Sequence, residues 1–155
     1  MSRSPREVVD QVRRMVAGEG VAFADLFAAD GVLSYPFAPP GTPRELRGRE
    51  AIRAFHGAAS QRRSLLEIDG VDVLVRDTDD PEVVVAEIEH HGYSHVSGGP
   101  YRFRALGVIR VRDGEIVRYD DYMDPIAQAG LLGRTPDLVA ALTGGSAPAS
   151  GTAAQ

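Results

Sequence analysis

The chain has 155 residues, no cysteine, 43% hydrophobic residues and a formal net charge of −5 at pH 7. That length supports one hydrophobic core without metal or disulfide staples, and the missing cysteine excludes disulfides, thiolate catalysis and cysteine-ligated zinc. The acidic balance argues against nucleic acid as a partner, because phosphate neutralisation needs an excess of basic side chains. No apolar leader opens the sequence and no stretch approaches the ~20 apolar residues of a membrane span, so a soluble, cytoplasmic protein with no membrane partner is expected.

Ser4-Pro5-Arg6-Glu7 reads as a capped helix start, with Ser4 and Glu7 as a capping box. Val8, Val9, Val12, Met15 and Val16 then form an apolar stripe at helical spacing, and Gly18 and Gly20 end the helix. A short second helix is expected around Phe23, Leu26 and Phe27, closed by Ala29-Asp30-Gly31. A strand follows over Val32 to Phe37. Ala38 to Arg47, with three prolines and a glycine, reads as a loop at a pocket rim. A third helix is expected over Gly48 to Arg62, with Ile52, Phe55 and Ala59 inward. Extended segments follow over Leu65 to Arg76 and Glu82 to His95. Next comes a hairpin stretch from Tyr101 to Pro125 that turns at Asp113-Gly114. Two short helices are expected after Pro125, and Gly144 onward reads as a disordered tail. The order predicts a single α+β domain over residues 1–143: a curved antiparallel sheet wrapped around N-terminal helices as a cone with a pocket inside.

The hairpin sets which residues see that pocket. On its first strand Arg102, Arg104, Arg110 and Arg112 share one parity, and Tyr101, Phe103, Ala105, Gly107, Ile109 and Val111 share the other, which is read as the concave face. Leu106 and Val108 form an apolar island on the convex face, a candidate dimer patch. A two-residue turn at Asp113-Gly114 would put Asp121 on the convex face. A three-residue turn with a bulge at Gly114, the preferred reading, would put Val117, Tyr119 and Asp121 inside. Gly107 would then leave room for a ligand beside Asp121.

A carboxylate in an apolar pocket has a raised pKa and can carry protons near neutral pH, so Asp121 is the first catalytic candidate; the alternative is a capping or salt-bridged Asp at the strand end. Glu87, Glu89 and His91 share a parity and are candidates to complement it, unless that parity faces solvent. Tyr35, His56, Tyr93, Tyr101, Phe103 and Tyr119 are candidates to line the site for a small-molecule substrate. The grouping of His90, His91 and His95 with Glu89 has no familiar metal spacing, so no metal is assigned. Gly-rich phosphate loops, serine elbows and the HExxH pattern are absent.

The run Phe23 to Asp30, the strand Gly31 to Phe37, and Gly48-Arg49-Glu50-Ala51-Ile52 with Phe55 resemble the N-terminal half of a SnoaL-like domain, in the nuclear-transport-factor-2-like, or ketosteroid-isomerase-like, superfamily. Val85-Ala86-Glu87, Gly98-Gly99-Pro100-Tyr101, Val111 to Ile116 and Arg118 to Pro125 resemble the C-terminal half. The resemblance implies an α+β cone, a deep apolar pocket, a homodimer through the outer sheet face and acid–base chemistry without a cofactor. In similar polyketide cyclases and phenazine-biosynthesis A/B proteins, the acidic residue before the aromatic-x-Asp/Asn-Pro ending is the acid–base group, which here matches Asp121. The expectation is a cyclase or isomerase acting on a small apolar, polyketide-like intermediate of secondary metabolism. Two other readings stay open. One is a non-catalytic carrier domain. The other is an epoxide hydrolase of the limonene-epoxide-hydrolase type with an altered partner set, since the positions of that family's Arg–Asp pair fall here on Glu87 and Glu89 and the Arg is missing.

Overall fold

The capping box forms. In the computed structural model, which describes residues 1–60 and 63–144, the Ser4 hydroxyl accepts from the Glu7 amide and the Glu7 carboxylate accepts from the Ser4 amide. Helix α1 (Pro5–Val16) follows, with Val8, Val9, Val12 and Met15 buried along one face. Gly18 and Gly20 then take positive φ, 78° and 79°, which a side chain would resist. Fully burying one such Val or Met side chain is worth about 1.5–3 kcal/mol, so this face fixes where α1 lies.

The next segment departs from expectation. Phe23–Leu26 is a single 3₁₀ turn, and strand β1 (Phe27–Ser34) already runs through Ala29-Asp30-Gly31. Gly31 explains the early start: a Cβ there would lie 2.7 Å from the Ile116 carbonyl oxygen of a neighbouring strand. The expected rim loop also holds a short strand, β2 (Glu45–Arg47), paired antiparallel with β1. Helix α2 (Arg49–Ser60) buries Ile52 fully and turns Phe55 toward the core. The Ala59 side chain, the expected helix end at Arg62 and residues 145–155 of the expected tail lie outside the described residues.

Long strands follow: β3 (Leu66–Asp77), β4 (Val83–Ser94), β5 (Gly99–Arg112) and β6 (Glu115–Met123). Helices α3 (Pro125–Leu131) and α4 (Thr135–Gly144) close the described chain. The strands form one curved, unclosed sheet in the order β2-β1-β6-β5-β4-β3. It is α+β, as expected, but not wholly antiparallel, because β1 runs parallel to β6. Alternation assigns its faces: Val84, Ala86, Ile88, Ile109, Val111, Tyr119 and Met123 are buried on the concave side, under α1 and α2. A shift in the β3–β4 register between Ile68 and Gly70 keeps Leu66 and Ile68 on the same side as Val71, Val73 and Val75. Among the described residues, no helix is long and apolar enough to cross a membrane.

Candidate active site

The orientation of Asp121 is set by a bulge. The β5–β6 hairpin closes through a two-residue turn, with Asp113 at φ 52° and Gly114 at φ 79° and Arg112 opposite Glu115. That turn alone would send Asp121 to the convex face. The register then slips: Val111 faces Ile116, while Arg110 faces Arg118, leaving Val117 as an extra residue on β6. The expected bulge is therefore real but sits at Val117, not at the turn. Ile116 takes the buried position expected of Val117, and Asp121 lies opposite Gly107. Beyond the bulge the acidic-aromatic cluster alternates. Tyr119 and Met123 are buried, and Asp121 lines the interior. Asp120 faces out to Arg118 at 2.9 Å, Tyr122 meets Phe37 with rings 5.3 Å apart, and Asp124 accepts from the Ile126 and Ala127 amides to cap α3.

Asp121 opens on a cavity of about 630 Å³ between α1, α2, α3 and the concave sheet face, a volume ordinary for a small-molecule site. Its walls are mostly apolar, with Phe23, Phe55, Ile88, Phe103 and Met123 among them. One carboxyl oxygen, Oδ1, is sealed from solvent and has no hydrogen-bond partner. Burial pushes the Asp121 carboxyl up to about 7, where it holds and releases protons at neutral pH. Two phenols stand beside it. Tyr119 precedes it by two residues on the same face, and the parallel β1–β6 pairing (Leu33 with Tyr119, Ser34 with Asp120) brings Tyr35 alongside. Burial first, and then the Asp121 charge, push both phenols up, so each stays a protonated hydrogen-bond donor. The Tyr35 hydroxyl lies 3.4 Å from His56 Nε2 on α2, and the His56 ring packs 4.5 Å from Phe23. Gly107, expected from sequence to leave room for a ligand, does not. Its open face is taken by Tyr119: a Cβ at 107 would lie 2.9 Å from that ring.

Five expected site residues do not line the cavity: Tyr101 contacts His90 from outside the lining, and the other four face away. Glu87, Glu89, His91 and Tyr93 all have the outward parity of β4. Glu87 pairs with Arg76, and Glu89 is clamped by Arg104 and Arg102, whose hydrogen bonds hold its carboxyl below the usual range. That is the opposite of a poised acid. His91 packs over Gly70 with Nδ1 3.7 Å from Asp72, and Tyr93 is 38% exposed beside His95. With Glu87 and Glu89 outside, the pair that would complete an epoxide-hydrolase site is not in the cavity. Among the described residues, no group of three or more His, Cys, Asp or Glu side chains is placed to hold a metal ion. The inward neighbour, His90, is the residue that sequence reasoning passed over. It lines the cavity with Phe103, and its Nδ1 is 2.8 Å from the Tyr101 hydroxyl. The signal was present: the inward parity already assigned to β5 pairs Glu89 with Arg104 and leaves His90 opposite Phe103.

Comparison with known proteins agrees with this architecture. The SnoaL-like domain family matches residues 8–119. An uncharacterized PhzA/B-like protein of Pseudomonas aeruginosa is 33% identical over 126 residues, covering 81% of this chain and 87% of that protein. The crystal structure of a provisionally assigned isomerase from Bacillus subtilis superposes with a TM-score of 0.71 at 26% identity, covering 83% of this chain and 92% of the other. A provisionally assigned polyketide cyclase from Pseudomonas putida shares the fold, with a TM-score of 0.60 at 17% identity over 84% of this chain and 98% of its own. This chain belongs to the SnoaL-like domain family.

Proposed function

We propose that this protein is a cyclase or isomerase that uses acid–base chemistry, with no cofactor, on a small, largely apolar carbonyl compound, and that Asp121 carries the proton. The observation behind this reading is the sealed, unpartnered Oδ1 of Asp121 on the wall of an apolar cavity, beside two phenols. In its ionised form Asp121 takes a proton from the carbon next to a carbonyl. The C–H electron pair moves onto the carbonyl oxygen as an enolate, and a phenolic O–H from Tyr119 or Tyr35 donates to that oxygen. Returning the proton to a different carbon isomerises the substrate. Attack of the enolate carbon on a second carbonyl closes a ring, and the proton held by Asp121 then neutralises the new alkoxide. The isomerase and cyclase assignments of the structural relatives support the same class.

The test uses 2-tetralone, an apolar ketone with exchangeable α-protons, followed by NMR in D₂O. The wild type should accelerate α-proton exchange, with a rate that rises through about pH 7 and then levels, because the base form is the ionised one. Asp121→Asn should lose about 100-fold or more, the usual contribution of a positioned general base, and Glu89→Gln should match the wild type. No acceleration by the wild type, or undiminished exchange in Asp121→Asn, defeats the proposal. We also propose a homodimer through the outer sheet face. There Leu74 is 53% exposed, and the half-buried Leu106 and Val108 lie on the same face, flanked by the Arg–Glu pairs.

A further inference from the structure

The cavity has a second polar end that the proton chemistry does not use. His90 lines it from β4 with Nδ1 held 2.8 Å from the Tyr101 hydroxyl, and its ring is braced by Tyr101 and Phe103, each with ring centroids 5.4 Å away. This clamp fixes the rotation of the imidazole, and the tautomer follows from the direction of the bond. If the Tyr101 hydroxyl donates to Nδ1, the ring proton is on Nε2, and if Nδ1 donates, Nε2 is the acceptor. Tyr101 itself is not among the residues lining the cavity, so its part is to orient His90.

The sheet register gives the distance between the two ends. His90 pairs with Phe103 and Asp121 pairs with Gly107, so the two positions are offset by four residues along β5 and lie on strands either side of it. At about 3.4 Å per residue and about 4.8 Å per strand, their Cα positions are roughly 17 Å apart over the sheet, less the reach of two inward side chains. Ile88, Ala105 and Met123 lie in the row between them, so the span is apolar.

We propose that His90, positioned by Tyr101, is a second ligand anchor, and that the substrate class is therefore an elongated molecule of at least two fused rings, or equivalent length, with a hydrogen-bonding oxygen at each end. The proposal deepens the acid–base reading and takes from it only that Asp121 marks the first end. Binding of two fluorescent probes tests it: 2-naphthol, with one hydroxyl, and 2,6-dihydroxynaphthalene, with one at each end. The protein has no tryptophan, so probe emission is read without its interference. The wild type should bind the diol about tenfold more tightly, the worth of one added hydrogen bond. His90→Phe should keep its affinity for 2-naphthol and lose the preference for the diol. Tyr101→Phe should lower that preference with 2-naphthol binding unchanged, which a general loss of structure would not do. A wild type that binds both probes equally, or neither, overturns the proposal, as does a His90→Phe variant that keeps the preference. Asp121→Asn separates the two ideas: failed proton exchange with an intact diol preference leaves the anchor standing, while exchange without that preference removes the anchor alone.

Discussion

Replacing Asp121 by Asn removes a charge that the fold stabilises poorly, and the size of the effect follows from burial. The carboxyl titrates at about 7 in the folded protein against an ordinary 3.8. Below about pH 3 it is protonated in the folded and unfolded chains alike, so it costs nothing. As pH rises, the unfolded chain releases the proton first, and the folded state loses about 1.4 kcal/mol of stability per pH unit until the folded carboxyl also ionises near pH 7. The loss accumulates over about three pH units, to a ceiling of about 4 kcal/mol, reduced by whatever water the cavity admits beside the side chain. Asn cannot ionise. Its amide, set where Oδ1 now lacks a partner, adds an offset that does not change with pH. The Arg-paired carboxylates Glu82 and Glu89 titrate below the usual range in both proteins and cancel in the comparison. Urea unfolding of both proteins, followed by far-ultraviolet circular dichroism from pH 5 to pH 9, should show the gap moving in favour of the variant up to about pH 7 and constant beyond pH 8. A gap that stays flat across this range would refute the argument, because a solvated or salt-bridged Asp121 has no reason to produce a slope.

Two further changes probe the frame around the site. Gly107→Ala places a methyl 2.9 Å from the Tyr119 ring, and overpacking of this kind costs about 1–3 kcal/mol, so the thermal midpoint should fall by several degrees and 2-tetralone exchange should slow as the phenol is displaced. An unchanged midpoint and rate would show that Tyr119 does not depend on that glycine. Leu106→Asp puts a charge into the outer apolar patch, and sedimentation at about 50 μM should show a wild-type dimer and a monomeric variant with the same circular dichroism. A monomeric wild type counts against the proposed interface.

What could be read from the sequence divides along physical lines. Helix α1 was legible in full, because its caps and stripe are local: Ser4, Pro5, Glu7 and the valines need no partner to be recognised. The faces of β5 were legible because six inward residues share one parity and four arginines the other, with only Leu106 and Val108 between them. The first half of strand β1, ahead of the expected start at Val32, was missed because Ala29-Asp30-Gly31 has the composition of a helix end. What makes it a strand is Gly31 passing close to Ile116, a contact 85 residues away that no local pattern carries. On β4 both parities begin apolar, with Val83 and Val85 against Val84 and Ala86, so the strand alone does not say which side is buried. Its partner does, since Glu89 must meet Arg104 once β5 is placed. Taken by itself, β4 therefore left Glu87, Glu89, His91 and Tyr93 as candidates for the inside, where His90 belongs.

The position of Asp121 rests on one residue that no composition rule marks. Without the extra residue at Val117, the two-residue turn would pair Asp121 with Leu106 and put its carboxyl on the arginine-rich outer face. There it would be held ionised, as Glu89 is, and Asp120 would take the inward place. Tyr119 would move with it, and the β1 pairing that brings Tyr35 alongside would offer a phenol to the wrong side chain. A valine serves at the bulge because the turn and the buried Ile116 fix one end of β6 and the Asp124 cap of α3 fixes the other, so the strand between them must absorb one residue somewhere. The bulge thus does what neighbouring charges do in other sites. It decides which of two adjacent aspartates is desolvated and which is paired with arginine, and so which of them can exchange a proton at neutral pH.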